Sequence, residues 1–494
     1  MKKFVIAITV ILALVVTSCS DFLNPRQEAT MPTSGMDYTK VENIFQPVSA
    51  AYASMRLSEG RAYSYVSVLG VPSDDDDRGS TDTDGLLTKE LDEFTFSPSN
   101  SLINDVWIHF FDMVSAANYA IESMAKFENA LSDATALGKV AECRGEAKVI
   151  RAYAYFNLVR LFGAVPKIDR TMTAQELGNH KSSSVNDIYD FICQDLDEAI
   201  DVLPETFAEK GRFNKYSAMG LKAKVALYRK DWIEAATQAD AIIASGKYDL
   251  EADFANAFSV EGEYGRESLM EIGSNDLGQV SGAAPVCYYG FIQGPRSNKP
   301  SNMQGWGFKV PSQGLVNFLT ERGDSKRLAV TILKRGEAAP GGEMIIDKCP
   351  NPYYNGKVYT PSSTNTFTNN SYGLDHNMRL LRYAEVLLIY AEAMAEGAVV
   401  GQPKSGMTAD AALTKVRARV GLDPVTATVE NIYEERRAEL AMEDDRFFDL
   451  VRTGKAATVL ASKGFKASKN EVFPTPANQI QVNTGLDKTP GYTY

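Results

Sequence analysis

Histidines are sparse in this sequence, whereas carboxylates are numerous. Its three histidines, His109, His180 and His376, show no metal-ligand spacing and lie in no recognisable catalytic triad motif. The sequence also lacks G-x-S-x-G, H-E-x-x-H and P-loop motifs. We therefore expect no enzyme and no resident cofactor, although a glycosidase that uses two carboxylates alone stays open as an alternative.

Trp306 is the leading candidate for ligand binding. It lies in a stretch rich in Gly, Pro, Ser and Asn, where a large ring either packs locally or meets a ligand. Sugars have apolar C–H faces and polar edges, so a sugar site needs flat rings with hydrogen-bonding groups beside them. Neighbouring residues supply further candidate rings and polar groups: Tyr288, Tyr289, Phe291, Arg296, Asn298 and Asn302.

An acidic loop is a second candidate, with Asp74, Asp75, Asp76 and Asp77 followed by Arg78. Four adjacent carboxylates repel one another, so they are either solvated or neutralised by cations. Calcium is one such cation because it takes many oxygen ligands, although the full EF-hand spacing is missing. The sequence leaves a calcium site and a solvated loop open.

Oppositely charged residues recur three apart near the C-terminus, where they share a helix face and can pair. The pairs are Arg382 and Glu385, Arg436 and Glu439, Arg446 and Asp449, and Asp449 and Arg452. Charges in a buried helix must be paired, since an unpaired one costs several kcal/mol. We interpret these residues as a structural ion network and not as catalytic groups.

Hydrophobic periodicity predicts a mainly α-helical fold. The predicted helices cover residues 41–57, 100–127, 145–162, 185–203, 215–228, 232–244, 380–397, 409–420 and 429–442. Trp107 and Trp232 fall in helices and are expected in the core. The pair 215–228 and 232–244 has small residues where two antiparallel helices approach, which resembles a tetratricopeptide unit. A generic helical hairpin is the alternative, because no clean 34-residue period is present.

Residues 250–377 differ from the rest of the chain. Helical periodicity fades there, and long irregular segments inside a compact protein are usually functional. We therefore divide the chain into an N-terminal helical region, 34–249, an irregular ligand-binding region, 250–377, and C-terminal helices with an irregular tail, 378–494. The three regions are expected to pack as one body.

The N-terminus reads as a secretory signal, with Lys2 and Lys3 before an apolar run of about 13 residues, too short to span a membrane. It ends in Val16-Thr17-Ser18-Cys19, which resembles a bacterial lipobox, in which the Cys is acylated and becomes the first mature residue. An ordinary signal peptide with a chance Cys is the alternative. We assign 1–18 to the signal and 19–33 to a lipidated tether.

The net charge of the chain limits the classes of molecule that it can bind. The formal charge is −12, and loss of Lys2 and Lys3 with the signal makes the mature chain more negative. This charge opposes binding to nucleic acid or to an anionic lipid surface.

Cys143 and Cys193 fall in helical patterns and are expected to be buried, whereas a Cys287–Cys349 disulfide stays open in an exported protein.

Several strings, in this order, resemble the SusD/RagB family of outer-membrane nutrient-binding lipoproteins. They are 19–23 (CSDFL), 151–156 (RAYAYF), 161–166 (LFGAVP), 382–393 (RYAEVLLIYAEA), 416–422 (VRARVGL), 435–440 (ERRAEL), 443–452 (EDDRFFDLVR), 473–476 (FPTP) and 490–492 (PGY). Each string alone is weak evidence, whereas their combination and order are specific.

The resemblance implies tetratricopeptide-like helices that support an irregular ligand-binding portion. It implies a cell-surface protein of a Gram-negative bacterium, lipid-anchored in the outer membrane, which hands oligosaccharides or, in some members, peptides to a SusC-like TonB-dependent transporter. Because the early loop of the family often faces the ligand, Asp75 and Arg78 become candidate contacts. These strings do not identify the class of ligand.

Overall fold

The computed structural model describes residues 35–274, 287–296, 305–346, 349–361, 376–399 and 401–494. Helices dominate, which confirms the predicted α-helical scaffold. Those of the first half are α1 (Gln46–Ser54), α2 (Glu59–Tyr65), α3 (Leu86–Asp92), α4 (Ser101–Ala130), α5 (Ala134–Phe162), α6 (Ala174–Leu177), α7 (Val185–Val202), α8 (Lys215–Arg229) and α9 (Trp232–Ser245). A 3-10 turn, Val41–Asn43, precedes α1, and a π-helical turn, Val66–Gly70, follows α2.

The long helices of this half stack in sequence order. Helix α4 packs on α5, α5 on α7, α7 on α8, and α8 on α9. The small residues predicted to lie between α8 and α9, among them Ala223, Ala235 and Ala239, are fully buried. The predicted helical hairpin is therefore confirmed, and Trp107 is buried as expected while Trp232 is half-buried.

Helix ends follow their capping residues. Asn100 accepts a hydrogen bond from the N–H of Leu102 at the start of α4, and Asp133 accepts one from Ala136 at the start of α5. The predicted start of α5 at residue 145 is wrong. Gly145 lies inside the helix, where a Cβ atom would come within 2.9 Å of the Val202 side chain, so this glycine permits close packing and does not mark a boundary.

The second half contains shorter helices. They are α10 (Tyr289–Gln293), α11 (Gln313–Glu321), α12 (Ser325–Thr331), α13 (Tyr383–Ala395), α14 (Ala409–Arg419), α15 (Val429–Glu439), α16 (Arg446–Arg452), α17 (Ala456–Val459) and α18 (Ala477–Val482). The buried helix α13 packs on α9, α14 and α15, so the C-terminal helices continue the stack of the first half.

Short antiparallel ladders join distant parts of the chain. Strands β1 (Asp76–Gly79) and β5 (Phe308–Pro311) pair, as do β2 (Val165–Pro166) and β3 (Ser182–Ser183), β4 (Ser268–Ile272) and β8 (Met378–Arg382), and β6 (Ile332–Lys334) and β7 (Tyr353–Asn355). In the first ladder Asp76 lies opposite Pro311 and Gly79 opposite Phe308. This pairing brings the acidic loop next to the segment that contains Trp306.

The region expected to be irregular is more ordered than its sequence indicates. Its described residues include β4–β7 and helices α10–α12, and α18 lies in the tail that was expected to be irregular. These elements are too short to show a clear hydrophobic period, and tertiary pairing stabilises them. Within the described ranges we find no helix that is both long and apolar enough to cross a membrane.

Candidate functional site

Trp306 lies two residues before β5 and is half-buried. Its backbone N–H donates a 3.1 Å hydrogen bond to the carbonyl of Phe291. The indole meets the ring of Tyr63 at a centroid distance of 5.9 Å and that of Phe291 at 6.1 Å, both in edge geometry. These contacts hold the indole in one orientation, and part of it stays accessible to solvent.

Polar residues at the end of β1 and in the loop that follows it lie close to the residue after Trp306. The N–H of Ser80 donates to the carbonyl of Gly307 at 2.6 Å, which ties the loop to the residue after Trp306. Arg296 donates to the Ser80 hydroxyl at 2.9 Å and forms an ion pair with Asp84. Arg78 donates at 2.6 Å to the backbone carbonyl of Asp84.

A left-handed glycine allows this loop to approach the aromatic residues. Gly85 has φ of 62°, and a Cβ atom there would lie 2.9 Å from the Tyr63 hydroxyl and 2.6 Å from the Phe308 ring. We call the group so assembled the Trp306 cluster. Its members are Tyr63, Arg78, Ser80, Asp84, Arg296 and Trp306.

The Trp306 cluster combines a flat ring with exposed charge. The side chains of Arg296 and Asp84 are 41% and 35% exposed, so both can hydrogen-bond to a ligand that covers the ring. This combination suits a molecule with an apolar face and hydroxyl edges.

Three rings predicted as ligand contacts are buried instead. Tyr288, Tyr289 and Phe291 are 7%, 5% and 2% exposed and belong to the main hydrophobic core. The Tyr289 hydroxyl donates to Asp444 at 2.7 Å, and burial together with the Asp444 charge raises the pKa of this tyrosine. We correct the expectation accordingly, because a buried ring offers no face to a ligand.

The acidic loop is neutralised by cationic side chains. Arg446 donates to Asp74 at 2.7 and 2.9 Å, and Arg437 donates to Asp75 at 2.8 Å. Although burial opposes ionisation of Asp74, its Arg446 partner keeps the pKa lowered, whereas burial and the Asp74 charge raise the pKa of Asp75.

These contacts correct the expectation for Asp75. Its side chain is fully buried, so it does not face a ligand, and the loop is not simply solvated. Arginine side chains supply the positive charge that balances these carboxylates, a role for which the sequence had suggested calcium. In the part of the chain that the structure describes, no cluster of three or more His, Cys, Asp or Glu is arranged for a metal ion.

Two family models match the chain. One, described as the SusD family, matches residues 337–492, and the other, described as "Starch-binding associating with outer membrane", matches residues 22–227. A SusD-like protein, P2, of Formosa agariphila is 29% identical over the full length of both chains. The chain belongs to the SusD/RagB family.

Solved structures of SusD-like proteins share this fold. A laminarin-binding SusD-like protein is 28% identical, with a TM-score of 0.79 over 91% of this chain and 99% of its own. Surface glycan-binding protein A from Bacteroides fluxus is 27% identical, with a TM-score of 0.77 over 91% and 99%. The second family model, by its description, associates the SusD/RagB family with the outer membrane.

The charged strings that resemble the SusD/RagB family form a buried ion network. Arg382 donates to Glu439 at 2.9 Å and to Glu443 at 2.7 Å, and Arg436 donates to Asp449 at 3.0 Å. Burial opposes the charge of Glu443, but Arg382 keeps its pKa lowered. The interpretation of these charges as an ion network is supported by the geometry, since each is held by an opposite charge.

The pairing within this network differs from the prediction. Asp449 and Arg452 pair at 2.7 Å as expected for residues three apart. The other three arginines reach different elements, and Arg446 pairs with Asp74 in place of Asp449. Long guanidinium side chains in a packed core reach carboxylates on neighbouring elements, which a sequence pattern along one helix does not reveal.

The remaining predicted residues are placed as follows. Cys19, Asn298 and Asn302 lie outside the described residues. Cys143 is buried as expected, while Cys193 is half-buried and accepts a 3.5 Å hydrogen bond from Arg229. Cys287 is a buried free thiol, so a disulfide to Cys349 is not formed.

Sequence reasoning missed three members of the Trp306 cluster, namely Tyr63, Ser80 and Asp84. Tyr63 lies in α2, and Ser80 is separated from its partner Arg296 by 216 positions. None of the three stands out by type or spacing. The glycine that follows the acidic loop, Gly85, is a local signal that could have pointed to a close backbone approach.

Proposed function

We propose that this SusD/RagB protein binds oligosaccharides at the cell surface and delivers them to a SusC-like TonB-dependent transporter. The observation that supports sugar most directly is the likeness, at 28% identity over 91% of the chain, to a structure named as a laminarin-binding SusD-like protein. The partly exposed Trp306 with its charged neighbours is compatible with that ligand class.

The Trp306 cluster would hold the sugar through two kinds of contact. Stacking on the indole removes apolar surface from water, which contributes about 25 cal/mol per Å². Hydrogen bonds that Arg78 and Arg296 donate to sugar hydroxyl groups, and that Asp84 accepts from them, each add about 0.5–1.5 kcal/mol net and select which sugar fits. A shallow site of this kind gives modest affinity, because part of the ligand stays in water.

The anchor and the partner complete the proposed role. Acylation at Cys19 would hold the protein at the outer membrane, and the tether 19–33 would let the folded body swing over the transporter as a lid. We infer the transporter partner from membership of the SusD/RagB family, whose members work with TonB-dependent transporters of this kind.

Ligand class is tested by titrating the purified protein calorimetrically with laminarin oligosaccharides, beside a glycan array and a peptide pool. Saturable binding of an oligosaccharide supports the proposal. Binding of peptides alone would instead identify a peptide-binding member of the family. Release of shorter sugars during the titration would show that the protein is a glycosidase.

The partner is tested by extracting the native protein from outer membranes with a mild detergent. We expect a TonB-dependent transporter to be recovered with it in a fixed ratio. The matched control is the Cys19→Ala variant. Without its acyl anchor this variant should leave the membrane, and it should not be recovered with the transporter. Recovery of the wild-type protein alone, under conditions that preserve related complexes, would contradict this part of the proposal.

A further inference from the structure

Lys309, in the middle of β5, is fully buried and contacts two acceptors. Its Nζ donates to the carbonyl of Met442 at 2.8 Å and is in direct contact with the carboxylate of Asp444. The second oxygen of Asp444 accepts a 2.7 Å hydrogen bond from the Tyr289 hydroxyl. The amine and the carboxyl carbon are therefore held next to each other, away from water.

The backbone on both sides of this contact is strained. Lys309, Met442 and Asp444 have φ values of 49°, 68° and 66°, in the left-handed region that residues other than glycine rarely adopt. A Cβ atom on Gly70 would lie 2.7 Å from the Asp444 carboxylate, so the π-helical turn packs directly on the contact. Backbone strain of this kind concentrates at functional positions.

A second carboxyl group lies near the pair. Asp76 on β1 is buried, and its Oδ2 accepts a 2.7 Å hydrogen bond from Ser73. Among the described residues nothing donates to its Oδ1. Burial raises the pKa of Asp76 to about 7, against the opposing effect of the Lys309 charge, so this group can both give and accept a proton near neutral pH.

We propose that Lys309 and Asp444 condense to an intramolecular isopeptide bond, with Asp76 relaying the proton. The Lys309 ammonium gives one proton, through Asp76, to the Asp444 carboxylate, so that a neutral amine faces a neutral carboxyl group. The amine nitrogen then attacks the carboxyl carbon, and a new C–N bond forms. One C–O bond breaks, and the departing hydroxyl leaves as water with a second proton that Asp76 carries from the nitrogen. One positive and one negative charge disappear together, and no oxidant or co-reactant is needed.

The groups around this contact can hydrogen-bond to the amide product as well as to the amine and the carboxylate. An amide nitrogen keeps one hydrogen, which can still donate to the Met442 carbonyl, and the amide oxygen can still accept from the Tyr289 hydroxyl. A buried ion pair is replaced by a neutral amide, which costs less to keep out of water. The bond would fasten β5, next to Trp306, to the segment between α15 and α16.

A tryptic digest of the denatured full-length protein tests the bond directly. If the bond is present, trypsin cannot cleave after Lys309, because the side chain is no longer charged. Peptide 297–322 should then appear joined to 438–446, lighter by one water than the sum of the two. Separate peptides 297–309, 310–322 and 438–446 at full mass would identify an ordinary ion pair and overturn the proposal.

Two comparisons sharpen the result. Lys224 is also buried and contacts Asp445 at 2.6 Å, but it lies in the regular helix α8 and should give only linear peptides. In Asp76→Asn the relay is lost, so we expect separate peptides in a protein with a native circular dichroism spectrum. A cross-link that persists in Asp76→Asn would overturn the role given to Asp76, and the wild-type digest decides the bond even if that variant does not fold.

Discussion

The guanidinium of Arg437 donates a 2.8 Å hydrogen bond from Nε to Oδ1 of Asp75, a residue 362 positions earlier in the chain. Asp75 is fully buried, so this contact provides charge compensation that water cannot supply. It connects the loop before β1 to α15 and thereby the first-half helices to the C-terminal helices. The geometry of the loop after β1, and so of the Trp306 cluster, depends on this link.

Replacing Arg437 with Met should destabilise the protein by about 3 kcal/mol, the low end of the cost of breaking a buried ion pair, because the buried Asp75 is left to a weaker contact with Arg446 at 3.6 Å. Urea unfolding at pH 7 measures the change in the free energy of unfolding. The control is Arg170→Met, which breaks an exposed pair with Glu176 and should hardly change stability. Equal effects of the two substitutions would show that Asp75 does not depend on Arg437.

Glu263→Gln should stabilise the protein progressively as pH rises from 5 to 8. Burial, with the charge of Glu271, raises the pKa of Glu263 to about 7, against the pull of Arg379. The folded state therefore binds the proton more tightly than the unfolded chain, and wild-type stability falls as pH rises through this window.

The expected gain over wild type is on the order of 1 kcal/mol at pH 8 and close to zero at pH 5, after allowing for partial exposure. Thermal melting across that range provides the measurement. Glu176→Gln is the control, because a hydrogen bond from Arg170 lowers the pKa of Glu176 to about 2 and it stays charged throughout. A difference that is flat with pH for Glu263→Gln would contradict the raised pKa.

Trp306→Ala should weaken oligosaccharide binding by at least about tenfold, equal to 1.4 kcal/mol. The reason is the loss of the ring on which the sugar stacks. Calorimetric titration gives the affinity, and thermal melting reports any loss of packing against Tyr63 and Phe291. Trp232→Ala, at a half-buried tryptophan in α9, should leave affinity unchanged.

Two outcomes would revise the role of Trp306. Unchanged affinity would remove the residue from the site. A loss of affinity accompanied by a large fall in melting temperature would indicate that the indole chiefly serves to pack against Tyr63 and Phe291.

Cys19→Ala should release a folded protein from the membrane, because the acyl chains would have no attachment point. Fractionation followed by immunoblotting measures the distribution between membrane and soluble fractions. Ser20→Ala, the neighbouring substitution, should stay in the outer membrane. If Cys19→Ala also stayed there completely, another attachment would dominate.

Local sequence was sufficient for much of the scaffold. Hydrophobic periodicity and helix breakers within a few turns predict the helix ends near Gly163 and Pro204. They also predict the α8–α9 hairpin and the buried helix α13. The start of α5 was misjudged because Gly145 reads as a boundary, whereas its lack of a side chain serves a contact with α7.

By itself the sequence determined the helical class and which helices are amphipathic or buried, since both depend on neighbours close in the chain. Tertiary structure alone decided that Asp75 pairs with Arg437, that Tyr289 is buried, and that Tyr63 and Arg296 join Trp306. These outcomes depend on the pairing of β1 with β5 and on helix stacking. Contacts between residues hundreds of positions apart arise from burying a common core, and no local period records them.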